Sequence, residues 1–261
     1  CDYRFGFTGT LDGTQTHRLV LEGLFGSVMK VITTKELIET DRIADLRIKA
    51  LVLKYSDEVR KEMKEAKYDD EIKFLAQCSE RNNFIKNLAI SRTGNTLVLF
   101  QMVEKHGRIL YDLINSRANK RKIFFIYGGI DVEERERARE ITEKENDAII
   151  IASYGTFSTG INIRNLHNII FASPSKSRIR NLQSIGRGLR KGDKKNKATL
   201  YDIADDLSYK SWNNYTLKHF AIRVKMYNEE EFDYKIYNIR LKNDSNNKTN
   251  ERRNVVSKTS L

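Results

Sequence analysis

Between Thr96 and Ile203 the chain repeats one rhythm: a short apolar run, a small-residue turn, then a longer segment with helical spacing. The apolar runs are Thr96–Phe100, Ile123–Tyr127, Ala148–Ala152, Asn168–Ala172 and Thr199–Ile203. Strands that are apolar along their whole length must be covered on both faces, and parallel strands need long crossovers, usually helical. The intervening segments, Met102–Ser116, Asp131–Glu145 and Ser177–Arg190, suit those crossovers. The expected fold class is therefore α/β: a mostly parallel sheet with helices on both faces. Ligands of such sheets bind beyond the carboxyl ends of the strands. Gln101, Gly128-Gly129 and Ser153–Gly160 all follow strand ends.

Upstream, Arg4–Thr8 reads as a short strand ending in Thr8-Gly9-Thr10, and Thr16–Gly26 as a helix using Leu19, Leu21, Leu24 and Phe25. Thr34–Glu39 reads as a helical turn and Ile48–Tyr55 as a strand. Asp57–Ser91 is charged, lacks Gly and Pro, and reads as two helices with a break near Tyr68–Asp70. After Asp206 the pattern predicts a helical segment carrying Trp212, Leu217, Phe220, Val224 and Tyr227, continuing through Phe232, Ile236 and Ile239. From Lys242 onward little can be buried, and a disordered tail is expected.

Composition narrows the function. The net charge is +12 over 261 residues, which favours a polyanionic partner. Between Lys176 and Lys197 stand nine Lys or Arg and one acid, a local net of +8. Cys1 and Cys78 form no disulfide framework and read as free thiols of a reducing compartment. The four histidines have no metal-ligand spacing, and no apolar run approaches the roughly 18 residues of a membrane span. The chain opens on Cys without a signal peptide, which reads as a piece of a longer protein in the cytoplasm.

Inside the basic segment lies Gln183-Ser184-Ile185-Gly186-Arg187-Gly188-Leu189-Arg190, a Q-x-x-G-R-x-x-R pattern. Arginines three apart on a helix share a face, and each offers a permanently charged planar fork matched to phosphate oxygens. Ser153–Asn162, small and hydroxyl-rich after a buried strand, suits backbone N–H groups approached by phosphate. Gly128-Gly129 permits positive φ or close contact with a ligand, although a plain turn explains it equally.

The order of these motifs resembles the second, RecA-like motor lobe of superfamily 2 helicases, and more narrowly the phage recombination and fork-remodelling helicases. Thr8-Gly9-Thr10 looks like motif III, Thr96–Gln101 like motif IV, Ser153–Asn162 like motif V and Gln183–Arg190 like motif VI. Two departures stand out: Asn162 replaces the usual Asp of motif V, and Ser153 matches its hydroxyl position only with one extra residue before Gly160. The resemblance implies four parts: 1–45 ending the first lobe, 46–206 the second lobe, 207–241 a C-terminal helical segment, 242–261 a tail. It implies Arg190 as arginine finger, Arg187 as γ-phosphate sensor and Gln183 as coupling residue. Gly160 and Asn162 fall on the nucleotide side, and Thr8, Gln101, Gly128, Gly129, Ser153 and Thr156 on the nucleic-acid side.

The implied cofactors are ATP and Mg²⁺, held mainly by a preceding N-terminal motor lobe. The implied partners are that lobe and DNA, branched or single-stranded, or an RNA–DNA hybrid, with no membrane. The chain itself has no G-K-[ST] phosphate loop and no D-E-x-H or D-E-x-D following a buried strand, so alone it is expected to hydrolyse no ATP. Two alternatives stay open at this stage: the lobe of a duplex DNA translocase, and a non-catalytic nucleic-acid-binding module.

Overall fold

The computed structural model describes residues 3–8, 11, 14–29, 31–118, 120–160, 163–173, 175–190, 197–241 and 255–256. Residues 3–8 are exposed and form no strand, contrary to expectation, since no strand among the described residues pairs with them. Helices α1 (Gln15–Phe25) and α2 (Thr34–Glu39) follow, neither with a buried residue. Thr33 and Glu36 start α2 with a reciprocal capping box.

The sheet begins with β1 (Asp45–Lys54). The charged stretch after it holds three helices rather than two: α3 (Asp57–Glu62), α4 (Tyr68–Gln77) and α5 (Ser79–Ile90). The additional break falls at Cys78, whose extended backbone separates α4 from α5. Then come β2 (Thr96–Phe100), a π-helical turn at Val103–Gly107 running into α6 (Arg108–Asn115), β3 (Ile123–Ile126), α7 (Val132–Lys144) and β4 (Ile149–Ser153). The next elements are α8 (Tyr154–Gly160), β5 (Asn168–Phe171), α9 (Arg178–Gly188) and β6 (Lys197–Asp206). The stretch Tyr154–Gly160, expected as a turn, is thus helical.

The C-terminal segment differs from expectation. Helix α10 (Tyr215–Glu229) forms, but Ile236 and Ile239 lie on β7 (Tyr234–Arg240), a further parallel strand beside β1. Burial alternates along β7, which is strand rather than helix periodicity. Of the stretch after Lys242, only β8 (Val255–Val256) is described, pairing antiparallel with β7.

The strand order is β3-β4-β2-β5-β6-β1-β7-β8, and β1 to β7 all run parallel. Alternate residues feed two cores. Leu97, Leu99, Ile150 and Ile169 point to the face covered by α7 to α10, with Tyr154, Phe157, Ile185 and Tyr227. Val98, Phe100, Ile151 and Ile170 point to the other face, with Leu75, Ile85, Leu110 and Ile114 from α4, α5 and α6. Fully burying one such aliphatic side chain is worth about 1.5–3 kcal/mol, so these runs decide the fold. Helices therefore cover both faces, and the seven parallel carboxyl ends share one edge.

Candidate nucleotide and nucleic-acid site

Helix α9 carries the octet as far as Gly188; Leu189 caps it and Arg190 lies just beyond, so the helix stops two residues short of the expected end at Arg190. Ser177 starts it by accepting the Arg180 N–H at 3.3 Å. Its buried side is Asn181, Ser184, Ile185 and Gly188. Gly188 is there for packing: a Cβ would lie 2.0 Å from Ile169 Cδ1, so only glycine lets α9 lie on β5. Gly186 is the opposite case, exposed and with nothing within 4 Å of where a Cβ would sit. The outward face thus presents Gln183, exposed Gly186 and half-buried Arg187, and exposed Arg190 follows just past the end of the helix.

The guanidinium of Arg187 lies 5.8 Å from the ring centroid of Phe157, so it joins α9 to α8 through a cation–π contact. Partial burial, and then the neighbouring Arg190 charge, lower the pKa of Arg187. Two like charges close enough to act on one another make a region of positive potential that suits an anion.

The end of α9 lies away from the carboxyl edge. Gly188 packs near the amino end of β5, and the Leu189 carbonyl accepts the Ala44 N–H at 2.8 Å, just before β1. Arg187 and Arg190 are therefore grouped apart from Gln101, Gly128, Gly129, Ser153 and Thr156, which stay at the carboxyl edge.

At that edge Gln101 is exposed, and its N–H donates to Ser173 Oγ at 3.0 Å. Gly128 faces Thr156, whose Oγ1 lies 4.0 Å from the position of a Cβ. A Cβ on Gly129 would meet the Tyr127 ring at 2.7 Å. Among the described residues the positive-φ glycines are Gly26 and Gly94, so backbone handedness requires neither Gly128 nor Gly129, and a close contact exists only at Gly129.

Ser153 and Thr156 are buried, and their hydroxyls lie 2.9 Å apart. Ser153 Oγ also accepts the Thr156 N–H at 3.3 Å, which starts α8. In this structure their hydroxyls bond to each other and to the start of α8. Gly160 ends α8. Asn162, Gly9 and Thr10 lie outside the described residues, while Thr8 is exposed.

Behind the edge lies a buried polar frame that the motifs did not indicate. Arg81 bonds both oxygens of Asp205 at 2.8 and 3.0 Å, and Tyr55 Oη donates to Asp205 at 2.7 Å. Arg223 bonds Asp202 at 2.9 Å, and Tyr227 Oη donates to the same carboxylate at 2.9 Å. Burial, then the neighbouring carboxylate, raises the pKa of both tyrosines. The signal was present in the sequence: Asp202 and Asp205 interrupt a buried strand, and a buried carboxylate requires a partner.

Comparison with known proteins agrees with this architecture. Residues 80–192 match the family described as helicase conserved C-terminal domain. The chain carries the C-terminal, RecA-like lobe of a superfamily 2 helicase. It is 35% identical over 254 residues to the ATP-dependent DNA helicase uvsW of Enterobacteria phage T4, covering 92% of this chain and 50% of that protein. The crystal structure of T4 UvsW superposes with a TM-score of 0.66 at 33% identity, over 84% of this chain and 44% of that one. A fragment of a putative HsdR subunit of a type I restriction enzyme from Vibrio vulnificus shares the fold, with a TM-score of 0.60 at 16% identity over 89% of this chain and 43% of that one. The chain spans about half the length of the curated relative it matches.

Proposed function

We propose that this lobe is the second half of an ATP-driven DNA motor that unwinds or branch-migrates forked, junction or R-loop nucleic acid in recombination, repair and replication. The observation that carries the reading is the pair Arg187 and Arg190, the first on the last turn of α9 and the second just past its C-cap, close enough for the Arg190 charge to act on Arg187 and beside the exposed Gly186. The relative's name, an ATP-dependent DNA helicase, supports the same reading.

ATP binds between two lobes in this scheme. A preceding lobe holds the phosphates and Mg²⁺, which neutralises phosphate charge when bound. Among the described residues no group of three or more His, Cys, Asp or Glu is arranged to hold a metal ion, and the residues offered here are cations suited to phosphate. Arg190 acts as the finger on the γ-phosphate, Arg187 senses that phosphate while stacked on Phe157, and Gln183 connects it to α8. Gly160 and Asn162 complete the nucleotide side.

Residues 1–45 end the first lobe and connect it to this one. The exposure of Phe5, Phe7, Leu19, Phe25, Met29 and Val31 supports an apolar surface for that lobe to cover. The strand backbone runs along the carboxyl edge over Gln101, Gly128 and Gly129, with Thr8 reaching it from the connector. Ser153 and Thr156 shape that edge by fixing the start of α8. Phosphate contacts of this kind position a strand without reading its sequence, so affinity falls steeply with salt.

The test is ATP turnover by the full-length protein carrying this lobe, wild type and Arg190→Ala, with and without forked DNA. An arginine finger is worth roughly 10³–10⁵ in rate, so turnover drops by at least about 10³ while DNA binding persists. Unchanged turnover with weakened DNA binding refutes the motor reading and makes the lobe a binding module. The isolated chain is expected to show no ATP hydrolysis; nucleic-acid-stimulated turnover by it alone contradicts the two-lobe scheme.

A further inference from the structure

We propose that Ser173 is a positioning residue, linking the nucleic-acid edge to the arginine helix. It rests on the two-lobe motor reading above and names the residue through which that site is coupled. Ser173 follows β5, between the two groups that the fold keeps apart.

Its side chain belongs to the edge. Ser173 Oγ accepts the Gln101 N–H at 3.0 Å and lies 3.1 Å from His106 Nδ1. His106 Nε2 lies 3.2 Å from Asn82 Oδ1, while Asn82 Nδ2 donates to the Ala76 carbonyl at 2.8 Å. An amide oxygen only accepts, so Nε2 carries the imidazole proton and Nδ1 accepts the Ser173 hydroxyl. Every group in this chain has one consistent direction. Burial, and then the Arg81 charge, push the pKa of His106 down to about 3, so the direction does not change near neutral pH.

Its backbone belongs to the helices. The Ser173 carbonyl accepts from Tyr154 Oη at 3.3 Å, and Tyr154 is the first residue of α8. Two residues on, the Ser175 carbonyl accepts from Asn181 Nδ2 of α9 at 3.4 Å, and Ser175 Oγ accepts the N–H of Ser177, the α9 cap, at 3.3 Å.

The flanking points are anchored to the sheet. Arg81 Nη2 donates to the Ala172 carbonyl at 2.8 Å and Arg223 Nη1 to the Ser175 carbonyl at 3.0 Å. Both guanidiniums are fixed by carboxylates of β6, on opposite faces of the sheet. Between these anchors, Ser173 is bonded to Gln101 and to α8. A displacement of exposed Gln101 by a bound strand therefore acts through Ser173 on Tyr154 of α8 and on the entry to α9, which holds Gln183 and Arg187 and leads into Arg190.

The experiment measures the ratio of DNA-stimulated to basal ATP turnover in the full-length protein, together with the Kd for forked DNA and the melting temperature. Ser173→Ala removes two neutral hydrogen bonds, each worth roughly fivefold, and coupling energies of 1–3 kcal/mol correspond to about 5–150-fold. The expected result is a fall in the ratio of about tenfold or more, with basal turnover and Kd within about twofold of wild type. Tyr154→Phe removes one bond and keeps the ring, with an expected fall of about threefold to fivefold. It also covers the case in which Ser173→Ala does not fold. A ratio unchanged in the folded variants, or falling only in step with DNA affinity or melting temperature, overturns the proposal. If wild type itself shows no DNA-stimulated turnover, the motor reading fails first and this inference falls with it.

Discussion

The two glycines of α9 should respond to alanine in opposite directions. At Gly188 a Cβ would lie 2.0 Å from Ile169 Cδ1 and 3.2 Å from Ile169 Cγ1, and Ile169 is fully buried. Either Ile169 leaves its rotamer or α9 lifts off β5. Overpacking of this kind costs about 1–3 kcal/mol. At Gly186 nothing lies within 4 Å of the added methyl, and the position is exposed. There alanine gains the helix propensity that glycine lacks, about 0.5–1 kcal/mol. For a domain of this size, 1 kcal/mol shifts Tm by about 2–4 °C. Gly186→Ala should therefore raise Tm by about 1–4 °C, and Gly188→Ala lower it by about 2–12 °C, both read by circular-dichroism melting. In the full-length protein Gly186→Ala should also lower ATP turnover despite the added stability, because in the proposed two-lobe scheme its methyl stands beside Arg187 on the side that meets the nucleotide. A destabilised Gly186→Ala or an unaffected Gly188→Ala refutes the packing reasoning. A more stable Gly186→Ala with normal turnover refutes the functional part of the argument at Gly186.

Other consequences follow from the buried groups. Asp202→Asn leaves the Arg223 charge without its counterion in the core and should cost about 3–5 kcal/mol, read as a lower urea midpoint. His106 has its pKa pushed down from 6.5 to about 3, so the unfolded chain takes up a proton that the folded chain refuses. Its contribution is complete above about pH 6.5 and is lost as pH falls towards 3, amounting to about 2 kcal/mol by pH 5. His219 is shifted in the same direction and adds to it. Urea midpoints measured from pH 7 to pH 5 should fall less steeply in His106→Asn than in wild type, and equal slopes contradict the assignment. Cys78, pushed up to about 11 chiefly by burial, should be alkylated about a hundredfold more slowly than an ordinary thiol near pH 8, as mapped by peptide mass spectrometry.

Much of the fold was legible because its signals are local. Ile149, Ile150 and Ile151 are all fully buried. A run of that kind reads as a two-faced strand wherever it occurs, and alternation with helical segments made the sheet parallel. The octet was legible as a pattern for the same reason, but its end was not: α9 stops at Gly188, so Arg187 is helical and Arg190 is not. Errors arose where a partner far away in the chain decided the outcome. Ile236 and Ile239 continue an apolar pattern that a helix could also use, and they form a strand because β1 offers an open edge. The motif at Arg4–Thr8 reads as a strand but has no strand beside it among the described residues.

The residues themselves determined which side chains could meet phosphate: the forks of Arg187 and Arg190, the small residues Gly128 and Gly129, and the absence of a phosphate loop from this chain. Tertiary structure alone decided what each is free to do. Ser153 and Thr156 look like phosphate ligands in sequence, yet packing turns their hydroxyls towards each other. Gly186 and Gly188 look alike in sequence, yet one meets open space and the other Ile169. Arg81 and Arg223 look like surface cations, yet they lie buried against Asp205 and Asp202. A residue's chemistry is a property of its side chain, but its burial and hydrogen-bond partners depend on residues far away in sequence, and those appear only when the sheet closes.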